Sequence, residues 1–281
     1  MHAPSPYSFS FEPLFLALAV VAAVVYARAA RREQVPLRRA ALFGLGLVLI
    51  VAALNSPLET LAMHYLLIMH LLQNVMLADW GPPLLILGLT GAMRATLSRW
   101  GGPLFAWLTD PKIALPLWLV GWYGIHLPAF YDYALRNHWA LYLEHVILIA
   151  IGTLFWWPVL SETRHAVGTG AKLGYLAAGF VGATFLGLAL TFSPKPFYDF
   201  YEEAPRLWGL SPAKDQNFGG ILMNSEQALI FLAAIIYFLV RLLREEEERE
   251  RVLKHAQSQR SFHLETDAPG EPYVNDMGRH G

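Results

Sequence analysis

Seven long apolar stretches dominate the chain, at residues 13–30, 38–55, 60–79, 113–131, 139–160, 171–192 and 220–243. A helix needs about 20 mostly apolar residues to cross the hydrocarbon core of a bilayer. Inside lipid every backbone polar group must be satisfied within the element itself or in a closed barrel. The apolar residues here run all round the helical wheel rather than alternating, which excludes a barrel strand pattern. The expectation is an all-α membrane protein, a seven-transmembrane helix bundle. Only 15% of the 281 residues are charged, against about 25% in an ordinary soluble domain. A net charge of −1 provides no basic field for phosphate, so no nucleic acid is expected as a partner. The sequence has no cysteine, which removes disulfides and thiolate metal sites from consideration.

The segment 82–89 is too short to span alone and follows Gly81, Pro82 and Pro83, which should break the third helix. It reads as a re-entrant or interfacial piece leading toward Arg94 and Arg99. Small residues in the sixth stretch, Gly174, Gly179, Gly182, Ala183 and Gly187, suit close helix approach. The tryptophans, among them Trp118, Trp122, Trp156 and Trp157, read as interfacial belts and packing.

Basic residues set the orientation. One side carries Arg28, Arg31, Arg32, Arg38 and Arg39, then Arg94, Arg99 and Lys112, then Arg164 and Lys172, then Arg241 and Arg244. The other carries Arg136, Lys195, Arg206 and Lys214. The bias places the N-terminus outside and the C-terminus in the cytoplasm. Three regions follow: an external segment 1–12, a membrane domain 13–243, and a charged cytoplasmic tail 244–281, disordered from about Ser258. His255, His263 and His280 in that tail read as surface residues.

Polar groups inside spans are costly and mark candidate sites. The third stretch holds Met63, His64, Met69, His70, Gln73, Asn74, Met76 and Asp79. Helical spacing puts His70, Gln73 and Asn74 on one face, with Met63 a near-whole number of turns before His70. Asp79 reads as a boundary residue at the inner end. His126 precedes Leu127 and Pro128 near the outer end of the fourth stretch. Glu144 and His145 lie in the fifth, and Met223, Asn224, Glu226 and Gln227 in the seventh. Imidazole and thioether donors without cysteine suit copper. Each histidine can equally be an interhelical hydrogen-bonding group, and each methionine packing filler. Two histidines at similar depth, His126 and His145, could also be the axial ligands of a haem-binding membrane redox protein. An intramembrane metallohydrolase with Glu144 as general base is disfavoured, because no His-Glu-x-x-His pattern exists.

Three stretches carry a family resemblance. His70 to Asn74 is followed by Pro82, Pro83, Leu84 and Leu85. Trp122, Tyr123, Gly124, Ile125, His126, Leu127, Pro128 and Tyr131 continue to Glu144 and His145. Leu190 to Pro194 is followed by Gly209 to Gly220. Over roughly residues 40–243 these resemble the bacterial membrane assembly factors for aa- and caa-type cytochrome c oxidase, the CtaG type. The resemblance implies a non-catalytic, multi-pass protein of the cell membrane, in the lipid bilayer. It implies maturation of the oxidase by handling copper near the extracytoplasmic face, with oxidase subunits and an external copper chaperone as partners. It implies His70, His126 and His145 as metal ligands, with Asp215 and Gln216 in the matching outer loop and Met223 where the family has a methionine. Glu144 and His64 complete the expected donor set. Asn74 stands where the family has a second histidine, and Glu226 follows Met223 where the family often has other residues. A metal-free structural partner on the same scaffold is the remaining alternative.

Overall fold

A computed structural model describes residues 3–161 and 167–266; Arg164 and His280 lie outside them, and of the His263 side chain nothing is described. Of the described residues 84% are helical and none is in a strand. In chain order the helices are α1 (Pro13–Glu33), α2 (Leu37–Leu54), α3 (Pro57–His64), α4 (Leu67–Val75), a π-helical turn (Met76–Trp80) and α5 (Gly81–Gly88). They continue with α6 (Gly91–Leu108), α7 (Pro111–Ile125), α8 (Pro128–Arg136), α9 (His138–Leu160), α10 (Thr169–Phe192), α11 (Asp199–Glu203) and α12 (Pro212–Thr266). Five of these, α1, α2, α9, α10 and α12, are long and apolar enough to cross a membrane. Two bent pairs raise the number to seven when each is one crossing: Leu67–Gly88 with Gly91–Leu108, bent by 114°, and Pro111–Ile125 with Pro128–Arg136, bent by 65°.

The third span corrects the expectation. Gly81, Pro82 and Pro83 do not break it; 82–88 continue the helix, and the sharp bend comes after Gly88. Prolines lack an N–H and collide with the carbonyl four residues back. The π turn removes both problems by widening the ladder just before them, with the Gly81 N–H reaching Met76 O. At its start the span also differs from the sequence pattern. Residues 57–64 form α3, and the chain is extended at Leu66 before α4 begins. Met63 and His70 therefore do not share a helix face. The new helix start is capped from another element: the Asp215 carboxylate accepts from Leu67 N at 2.8 Å and Ile68 N at 3.0 Å. The fourth span bends at His126 because Pro128 opens a new helix immediately after it.

Of the two roles read for the tryptophans, interfacial belts and packing, Trp118, Trp122, Trp156 and Trp157 take packing: all four are buried. Trp118 packs on Phe155 at 4.4 Å between ring centroids, and Phe231 closes the same cluster. Close helix approach occurs at Gly179, Gly182 and Gly187 as expected, but nothing approaches Gly174. The α10–α12 contact is close, since a Cβ at Gly187 would overlap Asn224 and one at Gly220 would overlap the Gly187 backbone. The N-terminal segment lies over α3: Thr60 Oγ1 donates to Ser8 O at 2.8 Å, Tyr65 donates to Pro4 O, and Glu12 N donates to Asn55 Oδ1 at 2.8 Å. At the other end α12 runs as helix past Ser258 to Thr266.

Candidate functional site

The polar residues of four elements meet at the α3 end of the bundle. His70 comes from α4, Glu144 from α9, His126 from the bend between α7 and α8, and Tyr201 from α11. His70 Nε2 lies 3.3 Å from Glu144 Oε1, and both side chains are fully buried. The opposite ring nitrogen, His70 Nδ1, is 3.0 Å from the Tyr201 hydroxyl. That hydroxyl donates to Ala62 O at 2.6 Å. Burial holds the Tyr201 phenol well above its ordinary range, so it keeps its single proton. Since that proton faces a carbonyl, the hydroxyl must accept from His70 Nδ1–H. The Nδ1-protonated neutral ring then turns a lone pair toward Glu144. A lone pair and a carboxylate oxygen at this distance require a cation between them, whether a proton or a metal ion.

His126 repeats the arrangement. Its Nδ1 is 2.7 Å from Trp122 O, a group that can only accept, so Nδ1 carries the proton. Its Nε2 is buried with no hydrogen-bond partner among the described residues. The backbone of His126 is held in turn by Tyr198, whose hydroxyl donates to His126 O at 3.0 Å. The Tyr131 ring packs against both imidazoles, its centroid 4.7 Å from His70 and 5.7 Å from His126. Asn74 reaches Glu144 Oε1 at 3.4 Å through its amide nitrogen. Where a second imidazole would compete for a cation, this amide donates to the carboxylate instead.

The other expected residues fall elsewhere. His145 follows Glu144 and is fully buried, but its ring packs edge-on to Phe15, 5.8 Å between centroids, and neither nitrogen has a hydrogen-bond partner among the described residues. Met223 is fully buried in the apolar core. His64 is exposed on α3 and lines a cleft with Glu12, Glu59 and His138. Asp215 is occupied as the cap of α4. Gln216 ties down the loop before α11: Oε1 accepts from Phe197 N at 2.7 Å and Nε2 donates to Lys195 O at 3.1 Å. Asp79 is not a boundary residue; it is fully buried in the π turn and accepts from Gln227 Nε2 at 3.1 Å. Among the described residues, no group of three or more imidazoles and carboxylates is set to hold one metal ion.

Sequence reasoning missed Tyr201 and Glu59. Tyr201 lies in a short polar loop with no periodic signal. Glu59 stands three residues after Ser56, the spacing of a capping box. Ser56 does cap α3, accepting from Leu58 N at 3.1 Å. The Glu59 carboxylate points inward and accepts from the Gln73 amide, with the residue only 2% exposed.

Residues 20–245 match the family of cytochrome c oxidase caa3 assembly factors (Caa3_CtaG). The chain belongs to this family. The match spans every residue of the buried cluster and all of the bundle but the first seven residues of α1 and the part of α12 beyond residue 245. No curated protein and no solved structure matches this assembly factor.

Proposed function

We propose that this assembly factor carries copper as cargo for the oxidase, taken up at the His70–Glu144 pair with His126 nearby as a further donor. The observation behind the reading is the shared tautomer of the two histidines. Each commits Nδ1–H to a fixed oxygen, leaving Nε2 to face Glu144 in His70 and without a hydrogen-bond partner among the described residues in His126. Metal-binding histidines have this outer-shell arrangement, in which the second nitrogen's hydrogen bond sets both ring orientation and basicity. The donor set fits the cargo: imidazole nitrogens, one carboxylate and no thiol suit copper exchanging in an oxidising compartment. The fit is to a loosely held ion. Two imidazoles and one carboxylate without a ready-made cage favour transfer over storage. When bound, copper supplies only charge and coordination; the protein's own groups orient the rings, exclude water and keep the Nδ1 protons in place. The role is non-catalytic, with the oxidase subunit as recipient. The basic-residue bias supports a site near the extracytoplasmic face of the cell membrane, where an external copper chaperone could load it.

The test is the copper content of the purified full chain in detergent after loading with Cu(I). One equivalent in wild type, lost in a His70→Ala, His126→Ala double variant that keeps its helical signal, is the expected result. Equal copper in both overturns it. A second reading, a metal-free scaffold for oxidase subunits, is favoured by the lack of a three-ligand group among the described residues. Buried amides that bridge helices also favour it, Gln73 to Ala53 O at 2.8 Å and Gln227 to Asp79. Wild type without copper that still restores oxidase assembly in cells supports this second reading. A Soret band in the purified protein would point instead to haem.

A further inference from the structure

A cleft of about 300 Å³ opens at the α3 end of the bundle, lined in part by Glu12, Glu59, Met63, His64, Arg136 and His138. Its donors are graded by depth. His64 and His138 are exposed at the mouth, whereas Glu12, Glu59 and Met63 are 7%, 2% and 9% exposed below them. Glu12 Oε2 is buried in this lining with no hydrogen-bond partner among the described residues. The cleft's one guanidinium is turned elsewhere, since Arg136 pairs with Glu203 at 3.2 Å and lies over the Phe200 ring at 5.6 Å. Beneath the cleft, Glu59 accepts from Gln73, and the next residue on α4 is Asn74, which donates to Glu144. Glu59 lies within electrostatic reach of both Glu12 and Glu144. Three buried carboxylates thus run in series from an open cleft to the His70–Glu144 pair.

Resting on the copper reading above, we propose that this cleft is the entry through which a soft metal cation reaches the buried pair, with Glu59 as the intermediate step. Imidazoles at the mouth and the Met63 thioether below them select a soft or borderline ion over magnesium or calcium, which require six or more oxygen ligands. The carboxyl groups draw the cation inward, and at Glu59 the arriving ion must displace a proton to the cleft, which makes that stop shallow. No bond is made or broken beyond exchange of donor atoms, and no electron is transferred.

The experiment measures the rate of Cu(I) uptake by the full chain in detergent, read as the fall in absorbance of a chromogenic Cu(I) chelate. Glu59→Gln keeps the side-chain volume and removes the ionisable oxygen; His64→Ala with His138→Ala removes the mouth. Both are expected to reach the wild-type copper content, but about tenfold more slowly, the effect of about 1.4 kcal/mol on a barrier. Uptake at the wild-type rate in both variants overturns the entry route while leaving the buried site standing. Loss of equilibrium copper from a folded Glu59→Gln protein also overturns it, because Glu59 would then belong to the holding site. Wild type that takes up no copper removes the copper reading, and the route falls with it.

Discussion

His70 and Glu144 are each tolerable in the interior only because of the other. Removing one partner of a buried pair typically costs about 3–5 kcal/mol, because the remaining charge has no water to replace it. His70→Ala is expected to lower the thermal unfolding midpoint sharply, and adding Glu144→Gln is expected to recover part of the loss; the same effect of Glu144→Gln in wild type as in His70→Ala would show that the pair carries no coupling. Glu59 provides a second handle. Burial pushes its carboxyl from the ordinary 4.5 up to about 8. A raised folded-state value means that the fold binds the proton more tightly than the unfolded chain does. Its stabilising effect is complete below 4.5 and is lost as pH rises through about 8. Unfolding midpoints measured across that window should fall for wild type and flatten in Glu59→Gln. The candidate donors were legible one by one because charge and imidazole inside apolar stretches stand out. Their pairing was not. The tautomer of His70 depends on Tyr201, which sits 131 residues away in the chain.

Among the elements, α4 shows what hydropathy cannot specify. The apolar run from Thr60 to Asp79 reads as one helix, yet the backbone breaks at Leu66 and restarts under a cap supplied by Asp215 from α12. Nothing local to residues 60–70 announces a cap that arrives across 148 residues. Asp215→Ala leaves the Leu67 and Ile68 amides without their acceptor and is expected to cost about 1–2 kcal/mol, as for a lost N-cap. Asp215→Asn, which retains one oxygen, should cost less. Thermal unfolding of the three proteins in one detergent gives the ranking; wild-type stability in Asp215→Ala would show the cap to be incidental. The bend at His126 was more accessible, because Pro128 already signals a helix start two residues later. The glycines of α10 were legible as a set, but which of them meet a neighbour depends on how α12 lies against them.

At the scale of the whole molecule, the helical membrane class followed from length and apolarity alone, since few other structures are allowed in lipid. The detailed path of the third and fourth spans did not, because bends are paid for by contacts between helices that are distant in sequence. The predicted orientation is directly testable, because the chain lacks cysteine. Single Ser5→Cys and Glu248→Cys variants should react differently with a membrane-impermeant maleimide: the first in intact cells, the second only after lysis. The reverse pattern would invert the topology and move the cleft to the cytoplasmic face. The π turn at Met76–Trp80 has its own bearing on the architecture. Gly81 abuts Ile50 and Gly88 abuts the Phe43 backbone, so α5 lies flush against α2. One residue advances an α-helix by about 100°. Deleting a single residue from the turn would therefore rotate the lower half of the span like a key in a lock, swinging both glycines away from α2 while leaving His70 where it is.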